Sequence, residues 1–452
     1  MGHVQRLARP PRALSAATSL WLSALFVAVY GGTAWLTSLR ADVATWSFGW
    51  ERRLPLVPWI IVPYMSLDFF FAAAPFLCAD RAELRALRRR MTAAILIAGA
   101  VFAMMPLQYA FDRPQPDGWT APIFRALHAF DRPYNMFPSL HIAILVILAG
   151  TYDRHSRGIL RWFIRVWFAL IAASTVLTRQ HHVIDIAGGF TLAVCCCYAI
   201  TEVRTRQPVT TNPRIGGFYA AAAAVLAGLS GLLRPWGLLL LWPAASMVIV
   251  AGAYFGLHAA IARKHAGRLS VAGRAVLAPW LLGQRLSLMY YRRQAAAYNE
   301  VVSNVWIGRQ LSEREGVLVS KRGAVAILDL TGEFSEAGSL LSLTYLNLQV
   351  LDLTAPTPDQ IHAAVDFIHA HRTRGAVLVH CKIGYSRSAT VVGCWLLDAG
   401  LAATAEDAVA RIRAARPTVV VRPEAWAALR EFAASARMVN VAATPRLIEV
   451  RT

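Results

Sequence analysis

The chain has 452 residues, 56% of them hydrophobic and 16% charged, with 46 Lys and Arg against 26 Asp and Glu for a formal charge of +20. Soluble proteins carry about 25% charged residues, so this balance excludes an ordinary soluble protein and points to one that lives in a membrane. On so apolar a chain an arginine excess belongs to loops facing anionic lipid, and no nucleic-acid partner is expected.

About eight apolar stretches approach the length of roughly twenty residues that a bilayer demands: 14–39, 54–77, 92–110, 138–152, 162–178, 183–201, 216–233 and 236–261. The first lacks a small-residue cleavage site and reads as a span rather than a removable leader. Basic clusters at 81–90, 154–165, 204–214 and 263–268, with Arg6, Arg9 and Arg12 at the start, face the cytoplasm by the positive-inside rule. Eight spans return both termini to that side. Of six cysteines, Cys78, Cys195, Cys196 and Cys197 fall in apolar spans and Cys381 and Cys394 near the C-terminus, so neither a disulfide framework nor a zinc spacing arises. No metal and no cofactor is expected.

The loop 111–137 and the adjoining span ends fall on the outer side. They hold FDRP at 111–114, PSLH at 138–141 and TRQHHVID at 178–185. Ionisable residues at span ends are functional candidates by default. A histidine held by a carboxylate is a nucleophile, a second histidine can protonate a leaving group, and arginines hold phosphate: a phosphoryl-transfer set. These segments resemble the type 2 phosphatidic acid phosphatase superfamily, especially its branch of sphingolipid head-group transferases. The resemblance implies His181 as nucleophile, Asp185 as its orienting partner, His141 as general acid, and Arg113, Ser139 and Arg179 as phosphate-binding. Two positions depart from the family pattern: Pro106 replaces a lysine and Thr175 an arginine. His182 reads as a flanking polar residue. Asp68 is a lone intramembrane carboxylate, either lining a lipid-entry cavity or pairing with an arginine of the site, or else neutralised by hydrogen bonds between helices.

Residues 262–300 are basic and interleaved with aromatics, as in PWLLGQRLSLMYYRRQ, which suits a linker lying on anionic lipid. Residues 301–439 have the size of one compact domain, and strand-like VWIGR and VAILDL with intervening helical patterns predict an α/β sheet. The remainder, 440–452, is a tail.

Within this domain VLVHCKIGYSRSA, 377–389, passes from a β-branched apolar run through a short loop into a helical run ended by Gly400. Cys381 therefore sits where a strand meets a helix N-terminus, and the amides of Lys382, Ile383, Gly384, Tyr385 and Ser386 can curl around a dianion. Arg387 adds a fork that matches phosphate oxygens, and the same field favours a thiolate. The His-Cys, five residues, Arg-Ser spacing resembles the signature of cysteine-dependent tyrosine and dual-specificity phosphatases. The resemblance implies Cys381 as nucleophile, Arg387 as the phosphate clamp, Ser388 as the hydroxyl that eases thiolate departure and Asp352 as the general acid. Asp359, the nearby competitor, follows Pro358 at a helix start, where an acidic residue is ordinary capping.

The expected protein is a polytopic α-helical membrane domain (1–261), a basic linker (262–300) and a cytoplasmic α/β phosphatase domain (301–439), in a bacterial inner membrane. Its substrate is a phospholipid phosphomonoester, with Lys382 suiting a highly acidic head group. The alternative is a membrane-anchored phosphatase of protein Tyr or Ser/Thr, and a third reading is a non-enzymatic scaffold. Oligomeric state is left open.

Overall fold

The computed structural model describes residues 9–202, 207–233 and 236–443. Arg6, Arg204 and residues 444–452 of the expected tail lie outside them. The chain forms two compact units, Met1–Arg204 and Thr205–Thr452.

The first unit is helical. Helix α1 (Arg12–Phe26) continues through a π turn into α2 (Gly32–Ser38), followed by α3 (Ile61–Leu77), α4 (Arg81–Met104), α5 (Ala121–Phe130), α6 (Leu140–His155), α7 (Gly158–Leu177) and α8 (Val183–Ala199). One parallel bridge joins β1 (Ala44–Thr45) to β2 (Leu107–Gln108). Asp80 caps α4 by accepting from the amides of Ala82 and Glu83 at 2.7 and 2.9 Å, satisfying donors that helix geometry leaves orphaned. The core collects Leu87, Met91, Ile95, Ala98, Leu145 and Leu148, which pack against one another within the helical unit. Helices α6 and α8 meet closely because α8 carries paired glycines. A Cβ on Gly189 would lie 2.2 Å from the Ser139 carbonyl oxygen, and one on Gly188 2.4 Å from the Phe137 ring. The Ser139 amide also donates to the Asp185 carbonyl at 2.9 Å. That approach brings the N-terminal ends of both helices, and so the two histidine motifs, together.

Among the described residues, five helices are long and apolar enough to cross a membrane: Arg12–Ser38, Pro58–Leu77, Gly158–Leu177, Pro213–Leu232 and Trp236–Tyr254. The other three expected spans are helices of a different kind. Helices α6 and α8 have only 16 and 17 residues. Helix α4 opens on RAELRALRRR, so charge fills its first half.

The second unit begins with α9 (Pro213–Leu232) and α10 (Leu241–Tyr254), a hairpin whose base is closed by the Asn212 amide donating to the Tyr254 carbonyl at 3.0 Å. This hairpin, N-terminal to the expected boundary at 261/262, belongs to the same compact unit as the C-terminal region. The segment 262–300 has structure of its own. It forms a small antiparallel pair, β3 (Lys264–His265) with β4 (Arg268–Leu269), then α11 (Val271–Val276) and α12 (Ala278–Tyr291). Trp280 and Leu281 pack against Val250, Tyr254 and Leu277, while Leu282, Leu286, Met289 and Tyr290 on α12 stay exposed.

A five-stranded sheet follows in the order β5-β6-β9-β7-β8. Strand β5 (Tyr298–Val302) runs antiparallel to β6 (Val305–Gly308), and the other pairings, through β9 (Ala376–His380), β7 (Ala324–Thr331) and β8 (Thr344–Val350), are parallel. Every residue of β9 is buried, which is why AVLVH reads as a continuous apolar run rather than an alternating one. Helices α13 (Glu313–Lys321), α14 (Pro358–His371), α15 (Arg387–Asp398), α16 (Ala405–Ala415) and α17 (Pro423–Ala443) complete the unit. Thr357 and Gln360 form a capping box at α14, and Asp359 stands in its first turn.

Candidate active sites

Cys381 leaves the C-terminal end of β9, and the loop to Arg387, the first residue of α15, wraps the sulfur. The Gly384 amide donates to Sγ at 3.3 Å, and the Ser388 hydroxyl lies 3.4 Å from it. The loop's carbonyls are turned away and held from behind. The buried Arg416 guanidinium donates to Gly384 O at 3.1 Å and Ile383 O at 2.9 Å, and the Gln310 amide donates to Lys382 O at 3.1 Å. Gly384 sits at φ +79°, and a Cβ there would fall 2.5 Å from the Gly308 carbonyl oxygen, so the turn requires glycine.

Arg387 is fixed by a second buried charge. Its guanidinium donates to Glu333 Oε1 at 2.7 Å and Oε2 at 3.3 Å, to Val350 O at 2.8 Å, and to Asp352 Oδ1 at 3.3 Å. Lys382 Nζ donates to the other Asp352 oxygen and to Gln284 Oε1 at 3.1 Å. Cys381, Lys382, Ile383, Tyr385, Ser386, Arg387 and Asp352 share one pocket of about 260 Å³, closed by Tyr291, Leu353, Val420 and Arg422. Burial alone raises the Cys381 thiol, but Arg387, the Ser388 hydroxyl and the Gly384 amide outweigh it, and the thiol lies below its usual value. Burial likewise raises the Asp352 carboxyl, and Arg387 and Lys382 reverse the sign and hold it low.

Beneath the loop, His380 is fully buried 2.7 Å from Glu336 Oε2 and 3.9 Å from Asp329 Oδ1. Burial favours the neutral ring, but the two carboxylates prevail and raise His380 to about 9. Asp329, Glu336 and His380 form a cluster of metal-ligand type. Its cation is supplied by the chain: Lys264, itself buried, donates to Asp329 and to Thr331 O and Oγ1, each of the latter at 3.1 Å. Tyr345 donates to Asp329 at 2.6 Å.

In the first unit, His141 and His181 both line a cavity of about 290 Å³, together with Asp68, Asp131, Tyr30 and Tyr64. Asp68 thus faces the cavity. The His141 ring stacks on Tyr64 at 4.1 Å, and His141 Nε2 and His181 Nδ1 are buried without a hydrogen-bond partner. Asp185 lies 3.6 Å from His181 Nδ1, beyond hydrogen-bond reach, and accepts instead from the His182 amide at 2.8 Å. The other expected phosphate ligands do not line this cavity. Arg113 donates to Asp131 O and lies 3.7 Å from its carboxylate. Arg179, at φ +53°, donates to Leu54 O at 3.3 Å. The Ser139 hydroxyl caps α6 through the Ile142 amide at 3.4 Å.

His182 is no mere flanking residue. It is buried, with Nδ1 2.7 Å from Glu51 Oε2, Nε2 accepting from the Ala110 amide at 3.1 Å, and its ring stacked on Tyr109 at 4.5 Å. Sequence reasoning passed over Glu51, Asp131, Glu333, Glu336, Lys264, Gln284 and Arg416. Only Glu333 and Glu336 offered a signal, as carboxylates just beyond a predicted strand.

Residues 35–199 match the PAP2 superfamily, and residues 311–435 match the catalytic domain of dual-specificity phosphatases. Among curated proteins, phosphatidylglycerophosphatase and protein-tyrosine phosphatase 1 of Homo sapiens is 35% identical over 100 residues, 22% of this chain and 49% of that protein. Phosphatidylglycerophosphate phosphatase PTPMT1 of Arabidopsis thaliana is 38% identical over 79 residues, 17% of this chain and 23% of that protein. PTPMT2 of the same plant is 27% identical over 171 residues, 36% of this chain and 74% of that protein. The chain thus spans about half the human relative and about a quarter of the Arabidopsis PTPMT1. A crystal structure of PTPMT1 aligns at 23% identity with a TM-score of 0.30, covering 32% of this chain and 99% of that one. By these matches the chain joins a PAP2-superfamily domain to a dual-specificity phosphatase catalytic domain.

Proposed function

We propose that this protein is a membrane-bound phosphoric monoester hydrolase that removes a terminal phosphate from a phospholipid head group at Cys381. The observation that carries the reading is the convergence of the Cys381 sulfur, the Arg387 fork, Lys382 and Asp352 on one pocket. The thiolate attacks phosphorus, an S–P bond forms, and the P–O bond to the head group breaks as Asp352 gives its proton to the departing alcohol. Water then attacks the phosphocysteine, Asp352 takes its proton, and the thiolate leaves toward the Ser388 hydroxyl with inorganic phosphate released. Arg387 and Lys382 are paired with Asp352, and a bound phosphate competes for both cations. Its arrival raises the proton affinity of the carboxyl when an acid is needed.

The substrate class rests on three supports: the phosphatidylglycerophosphate phosphatases named among the relatives, the extra cation Lys382, and the apolar hairpin packed in the same unit. Phosphatidylglycerophosphate is the first lipid to test. In the PAP2 domain, we assign hydrolysis or head-group transfer of a lipid phosphate to His181 as nucleophile, His141 as acid and Asp185 as orienting partner. Eight crossings that use α4, α6 and α8 as well, with both termini and Cys381 cytoplasmic in a bacterial inner membrane, fit the basic loops. The test is turnover of phospholipid phosphomonoesters, phosphoinositides and phosphopeptides by purified protein beside Cys381→Ser and His181→Ala. The expected result is that each change abolishes a different lipid activity. Consumption of phosphopeptides alone replaces this reading with a protein phosphatase anchored by its helices.

A further inference from the structure

The general-acid candidate is gripped by an element outside the phosphatase match. Asp352 stands in the loop between β8 and α14, and the two carbonyls that set its backbone are held by the α9–α10 hairpin. Tyr254, at the last turn of α10 and 1% exposed, donates its hydroxyl to the Asp352 carbonyl at 2.7 Å. Asn212, the N-cap of α9, donates through Nδ2 to the Leu353 carbonyl at 3.0 Å and lies 3.3 Å from Glu424 Oε1. Leu353 adopts φ +61°, a left-handed conformation that an ordinary side chain disfavours and that persists only where neighbours enforce it. Leu351 joins the cluster of Tyr254, Trp280 and Leu281. From the other side Gln284, on α12, holds the Lys382 ammonium that pairs with the Asp352 carboxylate.

We infer that Tyr254 and Asn212 are positioning residues for Asp352, so that the apolar hairpin aims the acid loop over Cys381. This rests on the reading of Asp352 as the proton donor. The two hairpin helices are long and apolar enough to cross a membrane, and Phe218, Val225, Trp242 and Val248 are exposed along them. A membrane that seats the hairpin therefore also fixes the two backbone carbonyls beside the reacting carboxyl. Main-chain contacts are well suited to this, because they locate the loop and leave the carboxylate free to exchange its proton.

A misplaced acid leaves a recognisable kinetic signature. Alkyl phosphates, with a poor leaving alkoxide, need the proton, whereas aryl phosphates with an acidic phenol largely do without it. The experiment compares phosphatidylglycerophosphate with p-nitrophenyl phosphate in full-length detergent-solubilised protein, Tyr254→Phe, Asn212→Ala, Asp352→Asn and Tyr254→Phe/Asp352→Asn. General acid catalysis is worth roughly 10²–10⁴-fold, and partial displacement is expected to forfeit roughly tenfold of kcat on the alkyl substrate with little change on the aryl one. In the Asp352→Asn background Tyr254→Phe should cost nothing more. The rate of Cys381 alkylation by iodoacetamide, unchanged in Tyr254→Phe and Asn212→Ala, verifies that the nucleophile loop is intact in the two hairpin variants. Equal losses on both substrates, or a wild-type ratio in both Tyr254→Phe and Asn212→Ala while Asp352→Asn shifts it, overturns the inference alone. An unchanged ratio in Asp352→Asn overturns the acid assignment and the inference with it.

Discussion

The two proposed phosphate sites are built to different degrees of readiness. Around Cys381 the cations already converge: Arg387 is pinned by Glu333, Lys382 reaches the same carboxylate as Arg387, and the loop carbonyls are tied back by Arg416. In the histidine cavity two imidazole nitrogens stand buried and unpaired, while Arg113 is engaged by Asp131 and Arg179 by Leu54. The first site is organised by backbone amides and buried ion pairs that already face one pocket, where a dianion has only to displace Asp352 from Arg387 and Lys382. The second presents His181 and His141, the pair proposed as nucleophile and acid, but keeps Arg113 and Arg179 on other partners. A phosphate there must draw Arg113 from Asp131 if it is to be neutralised.

The sharpest way to break this comparison is to remove each nucleophile. Cys381→Ser should lower head-group phosphate release by at least about 10⁴-fold, measured with single-turnover kinetics, because Cys381 is the one thiol among the described residues that line the pocket. In that silent background, His181→Ala should lower any remaining lipid-phosphate turnover by about 10³-fold. Remaining turnover that survives the change would remove the histidine site from the comparison. Third, Glu333→Ala leaves the buried Arg387 guanidinium without its bidentate partner and should destabilise the second unit by roughly 3–5 kcal/mol, read by denaturant unfolding. Arg113→Ala, whose partners are only partly buried, should cost the first unit less.

The smallest effect is a pH dependence. His380 is raised to about 9, above the ordinary imidazole value near 6.5. Its contribution to stability is therefore complete below about pH 6.5 and is lost as pH rises through about 9. The melting temperature of the second unit should fall between pH 7 and pH 10, and His380→Asn should flatten that slope. The first unit does not contain His380, so its own unfolding should not share that slope.

What the sequence discloses follows from how local each feature is. The strand, loop and helix around Cys381 are contiguous, so residues 377–389 carry their own pattern. His141 and His181 are legible as motifs at helix starts, though nothing local foretells that the Gly188–Gly189 contact draws α8 against α6. Glu333, Gln284 and Arg416 reach the nucleophile loop from remote segments with no periodic signature, and only the folded sheet assembles them. The linker reading of 262–300 misses Lys264 for a similar reason. One buried ammonium in a basic, aromatic run has the same composition as the solvated ones beside it. The eight-span count follows apolar length, and α6 and α8, at 16 and 17 residues, are the short helices among the eight, with the two histidine motifs at their N-terminal ends.

Lys264 also bears on where this protein can be cut. The phosphatase match starts at residue 311, and a fragment begun there discards the ammonium that neutralises the Asp329 carboxylate, together with Gln284 and both carbonyl anchors of the acid loop. Excised at its family boundary, the catalytic module would have to fold around a dry, uncompensated negative charge. The smallest transplantable piece is the whole stretch from the hairpin onward.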